Sequence, residues 1–225
     1  VSPEDREALR DAALDDLIVS GAPGWFQAFV RRAWSIVEGR PIVWNWHFTL
    51  LCVELERVAD GRTRELVIEQ PPGTGKAMLV SGMFPAGLWL HDPADQVLSI
   101  TNTDANAGRD SKRQRDIVLS PWYRGLVARI ARERGTGLVE AYDPDGRVIR
   151  RPWALSADQS EKQNFRNEIG GTRQAATVGS TIIGRRCRGL IVDDPYKAQD
   201  LTEGTPTQIA EAAARVVDEY DGNWL

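Results

Sequence analysis

The chain has 225 residues and a mass of 25.0 kDa, with 42% hydrophobic and 27% charged residues. This composition is typical of a globular protein and excludes a disordered or fibrous chain. Two cysteines and two histidines, without metal-ligand spacing, argue against a structural zinc site. The sequence has no run of about 18 apolar residues that would predict a membrane span.

The net charge is −4, but the charge is unevenly distributed. Between residues 101 and 190 there are 17 Lys and Arg against 10 Asp and Glu. A basic middle segment in an acidic chain indicates a surface that meets a polyanion such as nucleic acid. Solvated helix faces are the alternative interpretation of the same charges.

Helices are predicted for the first part of the chain. Ser2-Pro3-Glu4-Asp5 is typical of a helix start, because it combines a capping serine, a proline at the first position and acids in the first turn. This helix is predicted to end near Ser20, and further helices are predicted over residues 25–38 and 45–59. We expect residues 1–60 to form an N-terminal helical extension of a domain that spans residues 61–225.

Strands and helices are predicted to alternate after residue 60. This alternation predicts an α/β fold with a parallel sheet, because a crossover helix connects parallel strands. A hairpin turn is expected near residue 144, and the polar stretch 158–167 is expected to be a loop. The predicted strands are residues 65–69, 96–101 and 189–192 plus an antiparallel pair over 173–178 and 181–183, and the predicted helices are 76–90, 104–119, 122–134 and 206–220.

A glycine-rich loop follows the apolar residues 66–68 and precedes a predicted helix. A strand, a tight glycine loop and a helix start together hold the phosphates of a nucleotide, since backbone N–H groups and the positive end of the helix dipole point into the loop. Lys76 follows the second glycine, where the lysine of a P-loop reaches the β- and γ-phosphates. The phosphate-binding residues predicted from this motif are Gln70, Gly73, Thr74, Gly75, Lys76 and Ala77.

Two residues differ from the full P-loop pattern, G-x-x-x-x-G-K-[S/T]. Gln70 stands at the first glycine position, and Pro71 and Pro72 can compensate because they fix φ at the entry to the loop. Ala77 stands at the last position and lacks the hydroxyl that binds Mg²⁺. We therefore expect phosphate binding with weakened Mg²⁺-dependent hydrolysis of ATP.

Two adjacent carboxylates, Asp193 and Asp194, end the apolar strand 189–192. In an open parallel sheet, ligands bind beyond the carboxyl ends of the strands, so both side chains are expected to face the phosphates. We expect Asp193 to hold Mg²⁺ and Asp194 to orient and deprotonate the attacking water. A turn cap before Pro195 is the alternative for both residues.

Hydrolysis of ATP also requires a cation for the γ-phosphoryl group and a slot for the adenine. Trp46 and His47 are candidates for the adenine slot, although a tryptophan more often belongs to a core. Arg115 is the first choice for the cation, on the helix after the second strand, although any single arginine is more often a surface residue. The other candidates are Arg109, Arg113, Arg185 and Arg186.

Taken together, these residues resemble the ATPase domain of the large terminase subunit of tailed bacteriophages. The similarity extends over about residues 44–196 and includes the loop 70–76 and the strand that ends in Asp193-Asp194-Pro195. Ala77 differs from that family, which keeps Ser or Thr at this position. Further similar segments are Asn45-Trp46-His47, Ser99-Ile100-Thr101, Arg109-Asp110-Ser111, Ser120-Pro121-Trp122-Tyr123 and Gly184-Arg185-Arg186.

The resemblance implies a P-loop NTPase fold, with a three-layer parallel sheet of the additional-strand type that lacks its last strand or strands. It implies a viral genome-packaging motor that hydrolyses ATP, with Mg²⁺ as cofactor, to drive double-stranded DNA into a procapsid in the host cytoplasm. The implied partners are DNA, the portal of the procapsid and the small terminase subunit, with no membrane. It also implies a ring of identical subunits in which Arg115 of a neighbour completes each site, whereas the isolated chain is expected to be a monomer.

Two other functions are compatible with the same motifs. One is a general P-loop helicase or RecA-like remodeller of nucleic acid, and the other is a nucleotide-binding module that Ala77 leaves without turnover. The chain begins at Val1 rather than Met and stops at Leu225 without a capped ending. We therefore expect it to be part of a longer protein, with the nuclease domain of a large terminase subunit absent from it.

Overall fold

The computed structural model describes residues 2–160, 163–177 and 187–195. These residues form a mixed α/β structure of helices, one five-stranded sheet and a separate hairpin. The helices are α1 (Pro3–Ser20), α2 (Trp25–Val37), α3 (Trp46–Ala59), a π-helix (Met78–Met83) that continues into α4 (Phe84–His91), α5 (Asp104–Leu119) and α6 (Pro121–Arg134). The strands are β1 (Gln96–Thr101), β2 (Leu138–Tyr142), β3 (Val148–Pro152), β4 (Leu155–Ser160), β5 (Phe165–Asn167), β6 (Thr172–Thr177) and β7 (Gly189–Asp193).

Local capping explains why the predicted helices that lie within the described residues agree with the structure to within a residue or two. The Ser2 hydroxyl accepts a hydrogen bond from the Asp5 N–H, and the Asp5 carboxylate accepts one from the Ser2 N–H, both at 3.0 Å. This capping box supplies partners for N–H groups that have none inside a helix. Gly21 then ends α1 in the left-handed conformation, with φ 62°. Asn45 and Ser120 cap α3 and α6 through their side-chain oxygens.

The five-stranded sheet has the order β4-β5-β6-β1-β7. Strand β1 pairs in parallel with both β6 and β7, whereas β5 pairs antiparallel with β6 and with β4. The predicted parallel sheet is therefore found for β1 and β7. Strand β6 also pairs in parallel, although its residues were predicted in an antiparallel pair, and β4 and β5 make the sheet mixed. Strands β2 and β3 form the predicted antiparallel hairpin apart from this sheet.

The strand predicted over residues 65–69 is not formed. A strand needs a neighbour to bind its N–H and C=O groups, and β7, the edge strand on this side of the sheet, does not reach this segment. A cavity of about 160 Å³ lies between them, lined by Leu66 and Ile68 on one side and by residues 190–193 on the other. Val67 is accordingly 85% exposed.

Two predictions for the later part of the chain are also corrected. The predicted loop 158–167 contains the end of β4 and all of β5, two short strands with too few apolar residues to be recognised in the sequence. Residues 173–178 were predicted in an antiparallel pair with 181–183, but β6 pairs in parallel with β1 and antiparallel with β5, and 181–183 lie outside the described residues. Residues 178–186 and the predicted helix 206–220 lie outside the described residues.

One apolar core joins the first three helices to the rest of the molecule. It includes Phe26 and Phe29 of α2, Trp89 of α4 and Tyr123 of α6. Buried Glu56 of α3 accepts hydrogen bonds from the N–H groups of residues 24 and 26, both at 2.9 Å, and so caps the start of α2. Residues 1–60 therefore share a core with the segment that follows, and the domain boundary near residue 60 stays a prediction.

The π-helix that follows the glycine-rich loop packs on one face of the sheet. Arg173 of β6 reaches a carbonyl of the π-helix from this face, and Val97 lies beside it in the parallel register. By alternation along β1, Ser99 and Thr101 share the same face. Leu98 and Ile100 point to the opposite face and belong to a separate small apolar cluster. Within the ranges given above, no helix has the length and apolar character needed to cross a membrane.

Candidate phosphate-binding site

The loop between residue 70 and the π-helix has the backbone of a tight glycine turn. Gly73 and Gly75 both have positive φ, at 80° and 84°, a conformation that residues with a Cβ rarely adopt. A Cβ at Gly75 would also lie 3.0 Å from the Phe48 ring of α3. The second glycine is therefore required both by the turn and by the close approach of α3.

Side chains inside and outside the loop hold this turn in place. The Thr74 hydroxyl lies 2.8 Å from the Pro71 carbonyl oxygen and 3.2 Å from Gln70 Oε1, two acceptors within the loop. His47 Nε2 lies 3.2 Å from the Thr74 carbonyl oxygen and donates to it in the tautomer protonated at Nε2. Gln70 thus replaces the first glycine of the motif with a side chain that braces the loop.

A cavity of about 310 Å³ opens beside this loop. Every loop residue predicted to bind phosphate lines it, together with two arginines of α5 and the aspartate after β7. The loop therefore lies beyond the carboxyl end of β7, as expected for a ligand site of a parallel sheet. The cavity-lining residues are Gln70, Pro71, Pro72, Gly73, Thr74, Gly75, Lys76, Ala77, Met78, Arg109, Arg113 and Asp194.

Lys76 contacts both predicted carboxylates. Its Nζ lies 2.7 Å from Asp194 Oδ1 and 3.4 Å from Asp193 Oδ1. Burial opposes the charged form of the lysine, but the hydrogen bond to Asp194 and the charge of Asp193 outweigh it and raise the Lys76 pKa. The lysine is therefore a stable cation that lines the cavity and is held by a carboxylate.

The two aspartates have different environments. Asp193 ends β7 and is buried, and this burial raises the pKa of its carboxyl group although Lys76 opposes the shift. The Asp194 side chain is 68% exposed. Asp194 has φ 45°, a left-handed conformation that aspartate tolerates better than most residues. The chain thus turns at the end of the strand and directs one carboxylate inward and one toward solvent.

Helix spacing decides which predicted arginines reach the cavity. Arg109 and Arg113 are four residues apart on α5 and lie on the same face, which lines the cavity. Arg115 is offset by two positions from Arg113 and does not line it. The role of Arg115 as a neighbour's arginine stays a prediction, and Arg185 and Arg186 lie outside the described residues.

The predicted adenine slot does not line the cavity. Trp46 is 70% exposed in the first turn of α3, with its ring centroid 6.2 Å from that of His47. His47 braces the loop as described above and packs against Phe48, with the rings tilted by 32° and their centroids 4.5 Å apart. Contact of Trp46 with a base stays a prediction, whereas His47 has a structural role beside the glycine loop.

The residues around Lys76 can be tested against the implied Mg²⁺. In the described parts of the chain, no group of three or more His, Cys, Asp and Glu side chains could hold a metal ion. Mg²⁺, however, is usually bound by one or two carboxylates, with phosphate oxygens and water as the other ligands. Asp193 and Asp194 can supply those carboxylates, and Ala77 supplies no hydroxyl. The residues thus fit an ion that binds together with a nucleotide.

Sequence reasoning missed two residues of this site. Phe48 supports Gly75 from α3, and Asp110 binds both cavity-lining arginines. Spacing gave a signal only for the contact of Asp110 with Arg113, because residues at i and i+3 of a helix are neighbours, whereas adjacent residues such as Arg109 and Asp110 do not face each other. Phe48 had no such signal, since its contact with the loop depends on how α3 packs.

No family model matches the chain, and no curated protein is similar to it at a significant level. The chemistry of the site follows from its residues. Lys76, Arg109 and Arg113 place three cations around the N–H donors of a glycine loop. Cations and oriented N–H groups bind phosphate oxygens, and the adjacent carboxylates can hold a metal ion or accept a proton from water.

Proposed function

We propose that this chain is the ATP-binding and ATP-hydrolysing domain of a DNA-packaging motor of the terminase large-subunit type. The observation that carries the proposal is the position of Lys76. Its Nζ lies between two strand-end carboxylates, and the lysine lines the cavity beside the glycine loop. P-loop ATPases share two features: a lysine in the glycine loop, and an acidic residue at the end of a nearby strand.

Nucleotide binding would use the loop and its cations. The N–H groups of residues 73–76 would cradle the β-phosphate, helped by the positive end of the helix that begins there. Lys76 would exchange Asp194 for the β- and γ-phosphate oxygens. Arg109 and Arg113 also line the cavity and would neutralise further phosphate charge.

Hydrolysis would use the two aspartates in different ways. Asp194 would orient a water and accept its proton as the water oxygen attacks the γ-phosphorus, while the bond from that phosphorus to the β-phosphate oxygen breaks and ADP leaves. Asp193 would hold Mg²⁺, with Asp194 nearby. Mg²⁺, when bound, neutralises charge on the β- and γ-phosphates.

The P-loop NTPase fold and the packaging role belong to the same proposal. The fold is supported by the parallel strands β6, β1 and β7, with the glycine loop beyond the carboxyl end of β7. The role in moving double-stranded DNA is supported by the basic segment 101–190 and by the terminase-like residues. Its partners would be the procapsid portal, the small terminase subunit and further copies of the chain.

A nucleotide-binding module without turnover is the second candidate function. It is favoured by Ala77, which lines the cavity at the position where a P-loop offers a hydroxyl to Mg²⁺. Binding of nucleotide would then be intact while Mg²⁺-dependent hydrolysis is slow or absent. Mg²⁺-ATP turnover separates the two candidates, since both predict the same affinity for ATP.

The test is ATP binding by Lys76→Ala and by a matched control. Loss of a charge-assisted bond to phosphate should lower the affinity about tenfold or more, equivalent to about 1.4 kcal/mol. Lys112→Ala is the control, because Lys112 is an exposed lysine that pairs with Asp116 within α5. Isothermal titration calorimetry gives the affinities, and circular dichroism checks that each variant is folded. Equal affinity of Lys76→Ala and the parent would exclude the proposed site.

A further inference from the structure

A buried carboxylate on α5 holds the two arginines of the cavity. Asp110 is only 2% exposed. It accepts hydrogen bonds from Arg109 Nε at 3.0 Å and Nη2 at 3.1 Å, and from Arg113 Nη1 at 2.9 Å. A buried charge is costly unless it is paired and hydrogen-bonded, and these bonds meet that requirement.

A third guanidinium group, that of Arg173, is also close enough to Asp110 to feel its charge. Arg173 of β6 is 1% exposed, and its Nη1 donates to the Ser81 carbonyl of the π-helix at 2.9 Å. Burial lowers the Arg173 pKa to about 10, and the charge of Asp110 opposes this shift. Asp110 is therefore the countercharge between a buried structural arginine and two arginines at the cavity.

Arg113 is fixed from a second side by the helix that follows the glycine loop. A Cβ at Gly82 of the π-helix would lie 3.3 Å from Arg113 Cδ and 3.4 Å from its Cβ. The aliphatic part of the Arg113 side chain thus packs against the π-helix, while Asp110 binds its guanidinium group. A guanidinium has several N–H donors, so binding Asp110 through one or two is compatible with binding a phosphate oxygen through others.

We propose that Asp110 is a positioning residue that orients Arg109 and Arg113 of the same chain toward the terminal phosphate of a bound nucleoside triphosphate. This rests on the proposed function. Without Asp110, both arginines keep their charge but lose their fixed orientation. Binding a nucleotide must then order their side chains, and this entropic cost lowers the affinity. The loss of orientation weakens contacts with the γ-phosphate, which ATP has and ADP lacks. The affinity for ATP therefore falls, and the affinity for ADP does not.

The test compares ATP and ADP affinity in the full chain of parent and Asp110→Asn, by calorimetry without Mg²⁺. We expect Asp110→Asn to lower the ratio of ATP to ADP affinity about tenfold, with the ADP affinity near that of the parent. The melting temperature should fall, because buried Arg173 loses its countercharge. The control is Asp116→Asn, because Asp116 lies on the same helix and pairs with Lys112 outside the cavity lining. It should leave the ratio unchanged.

A second variant keeps the inference testable if Asp110→Asn does not fold. Arg113→Lys preserves the charge and gives up the fixed guanidinium geometry, so it should lower the same ratio with Asp110 intact. A parental ratio in Arg113→Lys, or in folded Asp110→Asn, would overturn the positioning role while Lys76-dependent ATP binding still supports the proposed function. If Lys76→Ala binds ATP as tightly as the parent does, both the positioning role and the proposed function are overturned.

Discussion

In the proposed mode of binding, Asp194 would compete with phosphate for Lys76, which makes Asp194→Asn an informative change. The carboxylate oxygen lies 2.7 Å from Nζ and would have to leave when a phosphate binds. Asparagine removes the charge while keeping the shape, and it tolerates the left-handed conformation of residue 194, where φ is 45°. The substitution therefore changes the electrostatics of the loop without straining the turn.

The structure gives the size of the expected effect. The Asp194 side chain is 68% exposed, so its ion pair with Lys76 belongs to the surface class. Such pairs contribute about 0.2–1 kcal/mol, which corresponds to a factor of about 1.4–5 in affinity. Removing the competitor should therefore raise the Mg²⁺-free affinity for ADP by up to about fivefold. Turnover should change in the opposite direction, falling about 100-fold or more if Asp194 accepts the proton of the attacking water.

The assay is calorimetric titration of ADP without Mg²⁺, so that metal coordination cannot contribute. Asp16→Asn is a closely matched control, because the Asp16 side chain is 66% exposed and pairs with Arg129 at 2.7 Å, in a contact between α1 and α6. It should leave ADP affinity unchanged. If Asp194→Asn binds ADP no more tightly than the parent, Lys76 is not restrained by this carboxylate and the competition described here is refuted.

Two further predictions concern the metal site and the pH dependence of stability. Ala77→Ser adds a hydroxyl at the cavity and should raise Mg²⁺-dependent ATP turnover without changing Mg²⁺-free ADP affinity; an unchanged rate would contradict the role assigned to residue 77. Burial lowers the pKa of His91 to about 4 from its ordinary 6.5, so the unfolded state takes up a proton first as the pH falls. The free energy of unfolding should therefore drop by about 2 kcal/mol between pH 7 and pH 5, in urea titrations. In His91→Gln this drop should be smaller by that amount, and an identical drop would show that another group causes it.

Much of the fold was readable from local sequence signals. Helices α1 and α6 begin at serine-proline starts and end at glycines, and these signals act within a few residues of the chain. Strand β1 was recognised from its short apolar run. Strands depend on partners distant in sequence, which is why 65–69 was predicted and does not form, and why β4 and β5 were missed.

The residues of the candidate site were also readable, but their relationships were not. The glycine loop, Lys76 and the pair Asp193-Asp194 follow from motif and position alone. The contact between Lys76 and Asp194 joins residues 118 positions apart, and only the packing of the first helical turn against the end of β7 brings them together. The choice of Arg109 and Arg113 over Arg115 as cavity-lining residues was likewise decided by which face α5 turns to the loop. Sequence thus determined which chemical groups are present and where helices start and stop, whereas tertiary packing decided which groups meet, because distances between remote segments are not encoded in any local pattern.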